Sequence, residues 1–139
     1  MMEVQTDTLT GPALDWAVAQ CENREIRVDP MGFVDGSESG YWIWEDNRSG
    51  KKAAYMLIGR EYSPSTRWEQ GGAILDKLRE SARHQFLMES DGENTHVLAW
   101  STPHTFSRGY GPSVLVAVMR CYVASHFGET IKIPEGLMS

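Results

Sequence analysis

The chain has 139 residues, which is the size of one domain and enough to bury a sizeable hydrophobic core. Its 13 Lys and Arg residues against 19 Asp and Glu residues give a formal net charge of -6, the wrong sign for a protein that holds nucleic acid by neutralising phosphates. No segment approaches the roughly 18 unbroken apolar residues of a membrane span, and the amino terminus lacks the basic region and apolar run of a signal peptide. We therefore expect a cytoplasmic protein that binds neither nucleic acid nor membrane.

The first predicted element is a helix over Gly11–Cys21, with Thr10 or Gly11 as its cap. Its Gly-Pro start suits a first helical turn, because proline lacks an N–H that this turn does not use. Its apolar residues recur at helical spacing as one stripe that faces a core: Leu14, Ala17, Val18 and Cys21. Further along, Tyr41–Trp44 and Ala53–Ile58 predict two paired strands, joined by a turn at Asp46–Gly50.

A hydroxyl- and glycine-rich loop, Tyr62–Gly72, comes next. After it, helical spacing predicts a short amphipathic helix through Ile74, Leu75, Leu78 and Ala82. Gln85–Glu89 and Thr95–Ser101 predict strands joined by Ser90–Glu93, whose Asp-Gly pair is a strong hairpin signal. We expect Pro103–Tyr110 to be loop.

The last helix is predicted over Pro112–Phe127 and is apolar almost all round, which is typical of a central buried helix. Gly128 is expected to end it as a left-handed cap, and Ile131–Ile133 to add a short edge strand. Strands bracketed by helices without regular βαβ alternation predict an α+β fold in one domain over residues 1–139. We expect a small antiparallel sheet packed against the first and last helices, with a short middle helix.

The Tyr62–Gly72 loop is the candidate binding site, because it concentrates hydroxyls, an aromatic face and glycines that leave backbone N–H groups accessible. The structural alternative is a turn in which residues 63–66 cap their own backbone. For Trp16 and Trp68 the alternatives are coverage by neighbouring loops or a stacking platform. The candidate ligand- or partner-binding residues are Tyr62, Ser63, Ser65, Thr66, Arg67, Trp68, Gln70, Gly71, Gly72 and Arg120.

Arg120 belongs to this set because it is the one charged residue on the inner turns of the last helix. A buried guanidinium must be paired or face a wet cleft, since leaving it unpaired costs several kcal/mol. One alternative pairs it with Asp15 or Asp76. In the other, it binds a small anionic ligand beside the Tyr62–Gly72 loop.

Recognisable catalytic and metal-binding motifs are missing from the sequence. The four histidines, His84, His96, His104 and His126, have neither an i+4 partner nor a nearby cysteine pair, so no zinc spacing exists. The Gly36–Gly40 segment carries Glu38 where a nucleophile elbow needs serine. We therefore predict no catalytic residues, no metal and no cofactor. Cys21 and Cys121 occupy matching places on the two main helices, and we expect both to be buried and reduced.

Three segments stand out together: LTGPALDWAVAQCE near the start, YSPSTRWEQGGAI in the middle and GPSVLVAVMRCYVASHFGETIKIPEGL at the end. They cover about half of the chain and resemble the NinX-like family of small proteins encoded by temperate tailed phages and prophages. The resemblance implies a one-domain phage accessory protein in the bacterial host cell. Because no activity is established for that family, it transfers no catalytic residues. Arg67 stands where the family commonly has an acid, and Ala73 where a proline is frequent, so a shared ligand would meet a different charge here.

Three function classes follow from these observations. The acidic surface, the missing catalytic apparatus and the family context favour a non-enzymatic binding or regulatory protein that acts on a host or phage partner. The alternatives are a small-ligand-binding protein that uses the Tyr62–Gly72 loop with Arg120, and an enzyme without a recognised motif. An exposed apolar patch is expected for the first class, and a deep polar pocket for the second.

Overall fold

The computed structural model describes residues 2–28, 41–45, 54–81, 86–90, 96–101, 106–134 and 137. These residues form three α-helices and eight strands, with a short 3-10 turn at Thr6–Thr8. In chain order the elements are β1 Met2–Gln5, α1 Gly11–Cys21, β2 Glu25–Val28, β3 Tyr41–Glu45, β4 Ala54–Leu57, α2 Trp68–Ser81, β5 Phe86–Ser90, β6 His96–Ser101, β7 Phe106–Gly111, α3 Val114–Phe127 and β8 Thr130–Ile133. The predicted α+β class is confirmed.

The strands form three antiparallel sheets, where one small sheet was predicted. β2, β3 and β4 make one sheet in chain order, β5, β6 and β7 make a second, and β1 pairs with β8 in a two-stranded third. The antiparallel pairing of β5 with β6 agrees with the predicted hairpin. The turns expected at Asp46–Gly50 and at Asp91-Gly92 lie outside the described residues, as do Gly36–Gly40, His84 and His104.

Helices α1 and α3 carry the core, as predicted, although α1 is buried on every face over its central residues, where a single stripe was expected. All seven residues of α1 from Ala13 to Ala19 are buried. Arg120 Nε donates to the Leu9 carbonyl, two residues before α1, whereas the Tyr122 hydroxyl reaches the carbonyl of Cys21 at the last residue of α1. Because residues two apart on α3 contact opposite ends of α1, the two helices cross steeply. α3 also packs on β6 and β7.

Two predicted elements need correction. The middle helix α2 is not short, since its 14 residues equal the length of α3. The stretch expected to be loop from Pro103 to Tyr110 contains all but the last residue of strand β7, which pairs with β6 along its whole length. Ser107, Gly109 and Gly111 have low strand propensity, so the strand depends on tertiary pairing and not on local preference.

The second Gly-Pro pair does not start a helix. Gly111 ends β7, and α3 begins at Val114 with Ser113 as the cap, whose hydroxyl accepts from the Val116 N–H at 3.2 Å. A Cβ on Gly111 would lie 2.8 Å from a Val116 methyl group, so glycine lets the strand end against the first turn of the helix. At the other end, Gly128 has the positive φ of +83° that the cap prediction requires, although its ψ of −152° lies outside the left-handed helical region. Among the helices of the described residues, none combines the length and the hydropathy that a membrane span requires.

The two cysteines give a direct test of this core. Cys21 is 5% exposed and Cys121 is fully buried, and neither forms a disulfide. Burial, with the neighbouring charge of Glu22, raises the pKa of the Cys21 thiol to about 12, so little thiolate is present at mildly alkaline pH. We expect a thiol reagent to label both residues slowly in the folded protein and rapidly in concentrated guanidinium. Rapid labelling of the folded protein contradicts the burial, and no labelling in denaturant without reductant shows a disulfide.

Candidate functional site

The predicted site segment Tyr62–Gly72 divides into an inward and an outward half. Tyr62, Ser63, Pro64 and Ser65 are buried, whereas Thr66, Arg67, Trp68 and Glu69 are exposed. The segment is a loop only as far as Arg67, because α2 begins at Trp68 and includes Gln70, Gly71 and Gly72. The carbonyl of Arg67 accepts from the N–H groups of Gln70 and Gly71, which closes the first helical turn.

The inward half uses its polar groups inside the protein. The Ser63 N–H donates to Gln70 Oε1 at 2.6 Å, and Gln70 Nε2 donates to the Glu61 carbonyl at 2.6 Å. The N–H groups of Thr66 and Arg67 both donate to the Ser63 carbonyl, which forms a compact turn. The turn predicted as the structural alternative is therefore present, although the Ser63 N–H is capped by Gln70, which lies outside residues 63–66.

Asp15 joins this turn to α1. Its Oδ1 accepts from the Ser65 N–H at 2.9 Å, and the Asp15 side chain is almost completely buried. Burial raises the pKa of this carboxyl to about 6, although the bonded Ser65 acts in the opposite direction. The Ser65 hydroxyl is also buried and forms no hydrogen bond of good geometry. The sequence indicated a role for Asp15 only as a partner of Arg120. The missed signal is a single acidic residue inside an otherwise apolar helix.

The two glycines, read from the sequence as loop residues, lie inside α2 for different reasons. A Cβ on Gly71 would overlap the Pro64 carbonyl oxygen and lie 2.7 Å from Leu115 Cδ2 of α3. Gly71 is therefore the point at which α2 approaches the turn and α3 most closely. A Cβ on Gly72 would meet only the Trp68 ring, at an ordinary 3.5 Å.

The outward half presents a tryptophan to solvent. Trp68 is 57% exposed, whereas Trp16 on α1 is 5% exposed. Trp16 is thus covered by the surrounding structure, as one of the two alternatives predicted. Trp68 is not covered, so that alternative is wrong for Trp68. Arg67 and Glu69 flank Trp68, and Arg67 Nη1 lies 3.7 Å from Glu69 Oε1. Both side chains are well exposed, so this ion pair contributes little to stability.

Arg120 lies against a different part of α1 from the turn. Its Nε donates to the Leu9 carbonyl at 2.8 Å, and desolvation lowers the pKa of the guanidinium while the charge of Asp7 raises it. The expected partner Asp15 accepts from Ser65 instead, and Asp76 is exposed on α2. Leu9 also lines a cleft of about 140 Å³ with residues 8–13 and Leu137. The structure thus gathers residues 62–72 at the start of α2 and places Arg120 at the start of α1.

Metal ligands do not converge in the described residues: no three His, Cys, Asp or Glu side chains are grouped as a metal ion requires.

Tyr62, the first residue of the predicted site, is buried, and the Arg24 guanidinium lies 5.7 Å from its ring centroid. Burial raises the pKa of its hydroxyl, so this tyrosine stays neutral.

Gly71 and Gly72 provide a matched pair of substitutions. We expect Gly71→Ala to lower the free energy of unfolding by about 1–3 kcal/mol, because the new methyl group overpacks a contact with backbone. Gly72→Ala adds the same methyl group where space exists and should raise stability by roughly 0.5–1 kcal/mol through helix propensity. Urea unfolding measures both. Equal effects of the two substitutions contradict the close approach at Gly71.

Asp15 makes stability depend on pH. Its folded pKa of about 6 lies above the ordinary value of 3.8, so the folded state binds the proton more tightly than the unfolded state does. This contribution, about 3 kcal/mol, is fully present below about pH 4 and is lost as the pH rises through about 6. Asn at position 15 still accepts from the Ser65 N–H but does not titrate. Relative to wild type, Asp15→Asn should therefore gain stability from pH 4 towards pH 7 in urea unfolding. A difference independent of pH contradicts the raised pKa.

Comparison with known proteins places this architecture in a family. The chain matches the family model described as Bacteriophage P22, NinX, over residues 5–126, a range that includes α1, the turn before α2 and all but the last residue of α3. It also includes the stretch from Leu87 to Tyr110, which the sequence resemblance did not cover. A comparison with curated proteins returned no match. The matched range covers most of the chain, and the protein belongs to the phage NinX family.

Proposed function

We propose that this phage protein is a non-enzymatic binding protein that acts on a host or phage protein in the cytoplasm of the bacterial host. Its contact region is the Trp68 surface, which consists of Thr66, Arg67, Trp68 and Glu69. The single observation that carries the proposal is the 57% exposure of Trp68 in the first turn of α2. Tryptophan and arginine are enriched among the residues that dominate protein–protein binding energy.

The hydrogen bonds beneath this surface support the proposal. The turn from Ser63 to Arg67 is held by internal hydrogen bonds and by Asp15, and Gly71 seats α2 closely on the turn and on α3. Trp68 therefore stands on a fixed backbone, which lowers the entropic cost of forming an interface. A flexible loop would not offer this advantage.

Small-ligand binding, the alternative function, has less support. Ligand pockets typically enclose about 300–1,000 Å³, and the cleft at the start of α1 has about 140 Å³. The inward amides of Ser63 and Ser65 already donate to Gln70 and Asp15. A ligand at the turn would have to replace these bonds.

A comparative pull-down tests the Trp68 surface. Tagged wild-type protein, Trp68→Ala and Phe127→Ala are used to capture proteins from lysates of the bacterial host, uninfected and phage-infected. Phe127 is the control because it is a second aromatic residue that is 43% exposed, at the far end of α3. We expect a partner that wild type and Phe127→Ala retain and Trp68→Ala loses, with a drop in affinity of at least about thirtyfold.

The variants must remain folded for this comparison, and the exposure of both side chains predicts thermal midpoints close to that of wild type. A partner that Trp68→Ala retains contradicts the Trp68 surface. Mass spectrometry of bound small molecules is carried out on the same samples. A tightly bound metabolite without a protein partner favours the ligand-binding alternative.

A further inference from the structure

The Trp68 surface continues along one face of α2. Trp68, Gly72 and Asp76 are four residues apart and therefore lie above one another on successive turns. Among residues 68–78 of the helix, the buried ones form a separate stripe against the core: Gly71, Ile74 and Leu78. We call the exposed stripe the α2 face. It has an indole that lies against the half-buried Gly72 at one end and a carboxylate at the other end.

The charges of this face are complementary to those of a second copy of itself. Arg67 precedes the helix, and Asp76 lies two turns into it, and both are exposed. A two-fold axis at the level between Gly71 and Gly72 sets two α2 helices antiparallel, so that residue 67 of each copy is level with residue 76 of the other. Arg67 of each copy then meets Asp76 of the other, and this pairing forms twice. When Arg67 pairs with Asp76 of the other copy, it loses only its exposed 3.7 Å contact with Glu69, which contributes little to stability.

The side chains of this face also match in shape. Gly72 has no side chain at the crossing point, and the Trp68 ring of the same chain lies against it, so the indole is the group that contacts the second copy there. Each indole of Trp68 then covers the half-buried Leu75 and the stem of Asp76 on the other copy. Exposed aromatic surface is thereby removed from water on both sides of the axis.

We propose that the α2 face binds a second copy of this chain, forming an antiparallel two-fold dimer with Trp68 and the Arg67–Asp76 pairs at its centre. The inference rests on the proposed function only in that it uses the Trp68 surface, and it requires no host or phage partner. α2 is about 21 Å long, so one helix pair buries less than the roughly 800 Å² per partner of a standard interface. The dimer is therefore in concentration-dependent equilibrium with the monomer.

Analytical ultracentrifugation of the purified full chain over a wide range of concentration tests the dimer. The wild-type mass should rise from 15.6 kDa towards twice that value as concentration increases. Trp68→Ala and Asp76→Arg should each raise the dissociation constant at least about tenfold, and added salt should weaken the wild-type dimer. Phe127→Ala is the control and should dimerise as wild type does.

A charge exchange makes the test specific for the Arg67–Asp76 pair. Arg67→Glu alone should weaken the dimer, and the double variant Arg67→Glu with Asp76→Arg should restore it. Glu69→Gln controls for loss of the pair within one chain and should leave dimerisation unchanged. Thermal unfolding confirms that each variant is folded, as expected for exposed positions.

Two results overturn this inference. One is a wild-type protein that stays monomeric at the highest concentration, and the other is a dimer that persists in Trp68→Ala and Asp76→Arg. Neither result contradicts the proposed function. That proposal fails separately if Trp68→Ala captures the same partners as wild type.

Discussion

The hydrogen bond from the Ser65 N–H to the Asp15 carboxylate joins the most buried helix to the turn that starts α2. α1 is enclosed on all sides over its central residues, so the one charged side chain among them must find its partner inside the protein. That partner is the backbone of a turn fifty residues further along the chain. The bond thereby fixes which half of the 62–69 segment faces inward, and it leaves Trp68 outside. The same hydrogen bond thus offsets part of the cost of burying the Asp15 carboxylate and helps to fix the position of the surface that we propose for binding.

The sequence could predict what depends on local periodicity, and little of what depends on remote partners. The apolar stripes of α1 and α3 and the pattern of β8 were sufficient to locate those elements. β1 and β2 escaped because each has only four residues, and β7, with six, escaped because Ser107, Gly109 and Gly111 have low strand propensity. In the candidate site, Ser65 is buried and the next residue, Thr66, is exposed, although both carry a small hydroxyl side chain. The contact with Asp15 contributes to that division together with the Gln70 hydrogen bonds and the close approach at Gly71, and no local pattern carries it.

A surface that binds both its own copy and another protein links the two equilibria. If the α2 face closes the dimer, a host or phage partner that uses Trp68 must displace the second copy, so partner affinity falls as the protein accumulates. Early in expression the monomer dominates and the surface is open. At high concentration most copies mask one another. An accessory protein of this kind would act most strongly, per molecule, when it is scarce.

The pairing of β1 with β8 affects how the chain can fold as it is made. Met2 lies opposite Ile133, and the Thr6 hydroxyl donates to the Gly128 carbonyl, 122 residues away. During synthesis, β1 therefore leaves the ribosome before β8 has been translated. Its backbone hydrogen bonds can form only after α3 and β8 have emerged. An exposed strand edge during that interval is a site for pairing with other chains. The Glu3 carboxylate, on the solvent side of β1, places a charge on that edge while the strand waits.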